Sequence, residues 1–375
     1  MKVKLHTLFR YLLETADAEP EAFVGLSLAA PPRLGEFLGD LDPDLPLDWN
    51  GRSFRGLPDL RRRVLDQAGL ADKCSPDDVL ITAGAAEANY LVMRQLLEPG
   101  DVVVTEAPGW PQAAVLAQAT GAELRVVPRD EAQAWRFDPA VLAAAVCDRT
   151  RLIFLTNPNN PTGALLDQAA LADVVRIADR VGAWLLVDEV YAGLEWDRPR
   201  APAVAGLYPR GITTGSVSKA LGLQGLRTGW LICRDPGLVM DAVILRENAS
   251  EIMNILGEHI ALAALEPARL ATRLATVRTE GRGAIGRLDR FVAETPGLSW
   301  VRPEAGLIGL ARLPPCIDSE TFARRLLGPP WRTFVLPGAA YGMPGHIRLG
   351  AGGGAAANLE TGLDRLADCL ARWGG

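Results

Sequence analysis

The sequence predicts an α/β protein with a mostly parallel sheet flanked by helices and a smaller α+β domain. From about residue 57 to residue 230, short runs rich in β-branched residues alternate with longer segments of helical periodicity. This alternation is typical of sheets whose parallel strands are joined by helices. The strand candidates are apolar throughout, which indicates that helices cover both faces of the sheet. Beyond Pro236 the regular alternation ends, which indicates a second domain.

The elements of the large sheet follow one another at short intervals. Short apolar runs bounded by turn residues predict strands at 79–82, 102–105, 124–127, 152–155, 184–187, 212–215 and 229–233. Segments with apolar residues three and four positions apart predict helices at 58–68, 86–97, 111–120, 138–146 and 167–181.

The two ends of the chain have a different pattern. The C-terminal part predicts one long helical region from 236 to about 294, then strands at 307–310, 333–336 and 347–349 and helices at 318–327 and 357–372. The N-terminal part predicts an amphipathic arm, because apolar residues fall at helical spacing at Leu5, Leu8, Phe9, Leu12 and Leu13. We expect a large domain at 41–245 and a small domain formed by 1–40 plus 246–375.

Composition excludes several classes of protein. The chain of 375 residues carries a net charge of −6, which argues against a nucleic-acid or anionic-membrane partner. Its five cysteines are scattered without a Cys-x-x-Cys pair, as expected of free thiols in a reducing compartment. No segment reads as a signal peptide or a membrane span, so we expect a cytoplasmic protein. The three histidines are dispersed and do not have metal-ligand spacing.

Polar side chains follow three predicted strands, at the edge where ligands bind in open α/β sheets. They are Asn160, Asp188, Tyr191, Ser216 and Lys219. Because the carboxyl ends of neighbouring parallel strands meet in one crevice, we expect these side chains to converge. A lysine, a carboxylate at a strand end and an Asn-Pro-Thr-Gly turn are the groups needed to hold pyridoxal 5'-phosphate (PLP) as a Schiff base.

Each of these residues has a predicted role. Lys219 would bind the cofactor covalently and then move a proton at the α-carbon of the substrate, because a lysine amine loses its proton readily when desolvated. Asp188 would keep the pyridine nitrogen protonated. Asn160 and Tyr191 would hydrogen-bond the phenolic oxygen of the ring.

The cofactor phosphate and the substrate carboxylate also need donors. Ser216 and Arg227 would supply a hydroxyl and a cation to the phosphate. The turn before a predicted helix would add the backbone N–H groups of Ala85 and Ala86, where the helix dipole favours an anion. Trp110 would stack on the pyridine ring. Arg348 would bind a substrate carboxylate through two parallel hydrogen bonds, with Asn160 beside it.

Simpler interpretations exist for single residues. Trp110 could be a core residue and Arg348 a surface residue of a strand. The Gly350–Ala355 run matches a dinucleotide-binding fingerprint in its letters. However, it lies too near the C-terminus for a complete βαβ unit, and we interpret it as a loop.

These motifs resemble those of the class I and II aminotransferases, the fold-type-I PLP enzymes related to aspartate aminotransferase. The resemblance covers nearly the whole chain and rests on motifs in the family's order, namely Gly56-Leu57-Pro58-Asp59-Leu60-Arg61, the Asn157–Gly163 stretch, Asp188 with Tyr191, Ser216 with Lys219, and Arg348. It implies that Asn160, Asp188, Tyr191, Ser216, Lys219 and Arg227 contact the cofactor and that Arg348 binds the α-carboxylate. It also implies a homodimer with the site at the subunit interface.

Three departures from the family pattern lie near the expected substrate and dimer contacts. Residues 48–55 contain no tyrosine where the family often has one that reaches the partner's phosphate. Ala86 stands where a serine or threonine is common, and the loop at 26–32 lacks the usual glycine-centred form. In addition, the segments at 219–227 and 35–38 are similar to enzymes of the capreomycidine synthase kind, which eliminate or cyclise in antibiotic biosynthesis.

The sequence therefore leaves the reaction open. The leading hypothesis is an aminotransferase of amino acid metabolism, with an amino-acid substrate and a 2-oxo acid co-substrate. The alternative is a PLP-dependent lyase, cyclase or decarboxylating deaminase on the same scaffold. A PLP-binding regulator is disfavoured. Such proteins carry a DNA-binding module before this domain, whereas here fewer than sixty residues precede the helix that begins near Pro58 and the chain is acidic. If the substrate has a second carboxylate, Arg52 and Arg55 are the candidate cations.

Overall fold

The computed structural model describes residues 2–48 and 53–373. The α-helices in these residues are α1 (Thr7–Glu14), α2 (Pro58–Ala68), α3 (Ala85–Leu96), α4 (Gln112–Thr120), α5 (Pro139–Ala145), α6 (Gln168–Val181), α7 (Pro236–Glu247), α8 (Ile255–Ala264), α9 (Pro267–Glu294), α10 (Ser319–Leu327) and α11 (Leu359–Ala371). The strands are β1 (Ala22–Phe23), β2 (Gly25–Leu26), β3 (Val79–Thr82), β4 (Val102–Ala107), β5 (Glu123–Pro128), β6 (Thr150–Thr156), β7 (Trp184–Asp188), β8 (Gly211–Ser216), β9 (Gly229–Cys233), β10 (Ser299–Trp300), β11 (Ile308–Arg312), β12 (Thr333–Phe334), β13 (Leu336–Pro337) and β14 (His346–Ala351).

The large sheet has seven strands in the order β3-β9-β8-β7-β6-β4-β5. Strands β4 to β8 pair in parallel, whereas β9 is antiparallel to both of its neighbours. The predicted α/β class with a mostly parallel sheet is confirmed. All seven predicted strands are present, with ends that shift by at most two residues.

Helices cover both faces of this sheet, as the apolar strands indicated. On β6, Leu152 and Phe154 pack in one core cluster with α3, α4 and α7, whereas Ile153 and Leu155 pack in another with α5 and α6. Successive side chains of a strand point to opposite faces, so a strand between two helical layers must be apolar at every position.

The second sheet is built from both ends of the chain. Its order is β10-β11-β14-β13, and β2 pairs in parallel with β14. Residues of α1, α9, α10 and α11 pack in the core beside it. The N-terminal arm thus forms a helix, α1, and joins the C-terminal part of the chain. The domain boundaries at 40/41 and 245/246 stay a prediction.

One local prediction was incomplete and two were wrong. The helical region at 236–294 is divided into α7, α8 and α9, because Asn254 caps α8 and Glu266 caps α9, where Pro267 takes the first helical position. The strand at 333–336 is two strands, since β12 pairs with β1 and β13 with β14. Gly350 and Ala351 belong to β14 and pair with β2, so the Gly350–Ala355 run is only partly a loop.

The described residues contain neither a membrane-spanning helix nor a metal-binding cluster. In the part of the chain that the structure describes, no helix is both long and apolar enough to cross a bilayer. In the same residues, no three His, Cys, Asp or Glu side chains lie together as a metal-binding group.

Candidate active site

A cavity of about 280 Å³ lies where the carboxyl ends of β6, β7 and β8 face α1 and β14. The last residues of these three strands, Thr156, Asp188 and Ser216, line it. The ten residues predicted from the sequence all line this cavity, namely Ala85, Ala86, Trp110, Asn160, Asp188, Tyr191, Ser216, Lys219, Arg227 and Arg348. Residues far apart in the sequence are therefore brought together at the predicted edge of the sheet.

Asp188 is a buried carboxylate held by two donors. Its Oδ2 accepts a hydrogen bond from Asn89 Nδ2 at 2.8 Å, and its Oδ1 accepts one from the backbone N–H of Val190 at 3.2 Å. Thr214 Oγ1 donates to Asn89 Oδ1 at 2.8 Å, which turns the amide N–H₂ of Asn89 toward the carboxylate. Burial raises the pKa of Asp188 to about 6, and the hydrogen bond from Asn89 opposes that rise.

Lys219 is the lysine that lines the cavity. The chain contains four lysines, and the other three, Lys2, Lys4 and Lys73, are exposed. Lys219 Nζ lies 3.4 Å from Ser27 Oγ and 5.9 Å from the centre of the Tyr191 ring. Burial lowers the pKa of Lys219 to about 8, and the nearby Arg348 adds to the shift while Asp188 opposes it. A substantial fraction of this amine is therefore neutral near pH 8.

The start of α3 is a candidate anion site at the cavity that Lys219 lines. Gly84, with φ +84°, precedes the helix, and a Cβ atom there would stand 2.6 Å from Arg227 Nη2. The first-turn N–H groups of Ala85 and Ala86 have no acceptor within the helix. Arg227 reaches the turn, where its Nη2 donates to Ala83 O at 3.3 Å. A cation, free N–H groups and the positive end of a helix dipole suit a phosphate.

Trp110 is connected to this turn through Gln112. Gln112 Oε1 accepts hydrogen bonds from Trp110 Nε1 at 3.2 Å and from Asn89 Nδ2 at 3.3 Å, and its Nε2 donates to Ala86 O at 2.7 Å. Trp110 packs against two core clusters and also lines the cavity. Its indole is therefore held at the cavity wall.

Arg348 is buried, with 4% of its surface exposed, so its interpretation as a surface residue is wrong. Its Nη1 donates to Asn160 Oδ1 at 3.1 Å and to Tyr341 Oη at 2.7 Å, and its Nη2 donates to Gly25 O at 2.9 Å. Among the described residues, Nε has no hydrogen-bond partner. Since Nη2 also has a second hydrogen, Arg348 keeps two donors for a carboxylate.

Of the two candidate cations for a second carboxylate, the structure describes only Arg55. Arg55 Nη1 pairs with Asp77 Oδ1 at 3.2 Å, and Arg55 does not line the cavity. Arg52 lies outside the residues that the structure describes, as do Trp49, Asn50 and Gly51.

Sequence reasoning missed several residues that line the cavity or contact its lining residues. Asn89 is an asparagine among the buried positions of α3, and this break in the apolar face could have identified it. Ser27, Leu8 and Leu12 line the cavity from the N-terminal segment. Tyr341 Oη accepts a hydrogen bond from Arg348, and burial raises the pKa of Tyr341 to about 12. For Leu8, Leu12 and Tyr341 the sequence carries no local signal.

Two relatives of known name are similar to this chain in sequence. The chain is 30% identical over 331 residues to an arginine–pyruvate transaminase of Pseudomonas aeruginosa, covering 84% of this chain and 81% of the relative. It is 32% identical over 302 residues to capreomycidine synthase of Streptomyces vinaceus, covering 79% and 76%.

Solved structures and a family model complete the comparison. A PLP-dependent aminotransferase of Streptococcus suis superposes with a TM-score of 0.90 at 26% identity over 100% of both chains. The PLP-dependent cyclase OrfR superposes with a TM-score of 0.88 at 25% identity over 100% of this chain and 98% of the cyclase. Residues 51–366 match the family model for aminotransferases of class I and II, and the chain belongs to that family of enzymes.

Proposed function

We propose that this protein is an aminotransferase that binds PLP at Lys219 and exchanges an amino group between an amino acid and a 2-oxo acid. One observation carries the proposal. A single cavity combines a lysine of lowered pKa, a buried carboxylate and an arginine with free donors, in Lys219, Asp188 and Arg348.

The residues present fit PLP. The anion site at Gly84 and Arg227 suits its phosphate, because a larger residue than glycine would fill the turn. The buried Oγ1 of Thr156 has no partner among the described residues and lines the same cavity. When bound, PLP supplies an aldehyde that captures the substrate amine and a pyridine ring that withdraws electrons from the α-carbon.

The side chains of the cavity would each contact a different part of the cofactor. Ser216, Arg227 and the N–H groups of Ala85 and Ala86 would hold the phosphate, and Trp110 would cover one face of the ring. Asp188 would hold a proton on the ring nitrogen. Asn160 and Tyr191 would hydrogen-bond the phenolic oxygen.

Two residues would act on the substrate. Arg348 would bind the α-carboxylate with its Nε and Nη2 donors, with Asn160 beside it. Lys219 would take the proton from the α-carbon of the substrate and deliver it to the cofactor carbon that carries the amino group. Its pKa of about 8 suits a general base that works near neutral pH.

The acidic and basic side chains that line the cavity favour transamination. Apart from Asp188, no carboxylate or histidine of the described residues lines the cavity. A second acid beyond the α-carbon would assist elimination or cyclisation, whereas the proton transfer of transamination uses Lys219 alone.

A PLP-dependent cyclase or lyase is the second candidate. It is supported by the similarity to capreomycidine synthase and to the cyclase OrfR. The two reactions differ in their products. A transaminase converts the bound cofactor to its aminated form and releases a 2-oxo acid, whereas a lyase or cyclase leaves the cofactor unchanged.

An absorbance experiment tests the proposal. The PLP-loaded protein is mixed with single amino acids without a 2-oxo acid, and both the cofactor band and the released products are followed. We expect loss of the band in step with 2-oxo acid release, and recovery on adding pyruvate. A band that persists while ammonia, carbon dioxide or a cyclic product accumulates would contradict transamination.

We further propose a homodimer, as the family resemblance implies. Leu34, Leu38 and Leu47 of one segment are all more than half exposed, which agrees with a partner that covers this segment. Light scattering of the eluted protein should give twice the mass of one chain, and the mass of a single chain would contradict the proposal.

A further inference from the structure

A short N-terminal segment, residues 25–29, connects the two residues that would act on the substrate. At its start, Gly25 O accepts a hydrogen bond from Arg348 Nη2 at 2.9 Å. At its end, the N–H of Ala29 donates to Lys219 O at 2.9 Å. Both ends of the segment are therefore tied to residues that line the cavity, and Ser27 stands at its middle.

The glycine run that begins at Gly350 allows this segment to lie close to the end of β14. A Cβ atom on Gly350 would stand 2.2 Å from Leu26 O, and one on Gly352 would stand 2.3 Å from Leu28 O. The N–H of Gly352 also donates to Leu26 O at 3.0 Å. The run, whose letters match a dinucleotide-binding fingerprint, thus serves to seat segment 25–29.

The hydroxyl of Ser27 reaches both Lys219 and Tyr191. Ser27 is 5% exposed and lines the cavity. Its Oγ lies 3.4 Å from Lys219 Nζ and accepts a hydrogen bond from the amine. Burial raises the pKa of Tyr191, and a hydrogen bond from Ser27 is among the contacts that oppose the rise. A hydroxyl has one hydrogen to donate and two lone pairs that accept, so Ser27 can bind both neighbours at once.

We infer that Ser27 is a positioning residue for Lys219, and that its hydroxyl holds the lysine amine in place whenever this amine is not bonded to the cofactor. The inference rests on the proposed function, in which the released amine moves a proton. A lysine amine stands on a flexible chain of four carbons, so a fixed acceptor limits where it can lie. Since Gly25 of the same segment holds Arg348, one segment places both the base and the arginine that would bind the carboxylate.

The first test needs neither cofactor nor turnover. An acylating reagent labels Lys219 of the cofactor-free protein only as the neutral amine. A hydrogen bond accepted from the ammonium form favours that form. Its loss in Ser27→Ala should therefore move the labelling midpoint down by about 0.5 to 1 pH unit. The charged groups that act on this lysine stay in place, namely Asp188, Arg227 and Arg348. An unchanged midpoint would overturn the inference.

A second buried serine provides the matched control. Ser218 is 6% exposed and lines the same cavity. Ser218→Ala removes a hydroxyl of the same kind and should leave the labelling midpoint of Lys219 where it is in the wild type. Equal shifts in Ser218→Ala and Ser27→Ala would overturn the inference, because the shift would then follow from the loss of any hydroxyl at the cavity.

Two glycine variants test how the segment is seated. Gly352→Ala places a Cβ atom against two carbonyl groups of segment 25–29 and should lower the labelling midpoint as Ser27→Ala does. Gly345→Ala is the control, because the space at its Cβ position is open among the described residues, and its midpoint should match the wild type. A wild-type midpoint in both glycine variants would contradict the seating of Ser27 by the glycine run.

A rate measurement separates this inference from the proposed function. The holoenzyme is mixed with the amino acid that reacts fastest with the wild type, and loss of the cofactor band is followed in a single turnover. Ser27→Ala should slow this loss by roughly tenfold or more, because a misplaced base transfers a proton slowly. An unchanged rate would overturn the role of Ser27 in the reaction. If the midpoint shifts but no amino acid changes the band of the wild type, the proposed function fails and the contact of Ser27 with Lys219 stands.

Discussion

Asn89 on α3 donates its side-chain amide to Asp188 Oδ2 at the end of β7, over 2.8 Å. The contact joins a helix to a buried carboxylate that lines the cavity. Thr214 fixes the orientation of the Asn89 amide, so the donor cannot turn away without losing a second hydrogen bond. Asn89 is therefore a positioning residue that favours the ionised form of Asp188.

Replacing Asn89 should weaken cofactor binding. Asn89→Leu removes a hydrogen bond to the carboxylate that would pair with the cofactor ring. The free energy of such a bond corresponds to a rise in the Kd for PLP of roughly 10- to 100-fold. The pKa of Asp188 should rise, so the acid limb of the rate profile should move to higher pH. Arg94→Leu, an exposed substitution on the same helix, is the control. An unchanged Kd together with an unchanged acid limb would contradict the role of Asn89.

The reactivity of Lys219 should depend on pH in the cofactor-free protein. A lysine reacts only as the neutral amine, so labelling with an acylating reagent should increase as the pH rises through about 8, the lowered pKa of Lys219. Arg348→Gln removes a neighbouring positive charge and should move the midpoint upward. Arg55→Gln changes an arginine outside the cavity wall and should not. Mass spectrometry of the Lys219 peptide measures both midpoints, and a wild-type midpoint as high as that of the exposed lysines would contradict the account.

Asp188 should make the stability of the cofactor-free protein depend on pH. Its pKa is raised from 3.8 to about 6, so the folded state binds this proton more tightly than the unfolded state does. Stability from this group is full below pH 3.8 and is lost as the pH rises to about 6, by up to about 3 kcal/mol. Urea unfolding at pH 4 and pH 7 should show this loss in the wild type and not in Asp188→Asn. Equal losses in the two proteins would show that Asp188 is not destabilised by burial.

Arg348 should act on substrates through their carboxylate. Arg348→Gln removes the charge and the paired donors, so kcat/KM for amino acids should fall roughly 100-fold, mainly through KM. Amines that lack a carboxylate, such as 3-methylbutylamine, provide the control, and their kcat/KM should differ between the two proteins by far less than roughly 100-fold. A fall of the same size for these amines would assign Arg348 to the structure of the cavity instead.

Most of the large sheet could be predicted from the sequence, because each of its strands has a local sequence pattern. Each strand from β3 to β9 is a short apolar run bounded by turns, and the polar residues that follow Leu155, Val187 and Gly215 identify the site edge. The division of 236–294 was missed because the caps Asn254 and Glu266 interrupt a segment whose composition remains helical.

The rest of the site depends on contacts between distant parts of the chain. Ser27 meets Lys219 across 192 residues, and Arg348 meets Gly25 across 323. Leu12 remains partly exposed in the folded protein. It reaches the cavity only because α1 packs against the C-terminal part of the chain. No local pattern distinguishes such a residue from its neighbour Leu13.

The central claim is that PLP is held by Lys219, and reduction with borohydride tests it most directly. The four lysines lie at 2, 4, 73 and 219, so peptide mapping of the reduced holoenzyme distinguishes them without ambiguity. We expect the phosphopyridoxyl group on the peptide that contains Lys219, and none on any peptide of Lys219→Ala. A label on Lys73 or at the N-terminus, or no label in a protein that has bound PLP, would contradict the account.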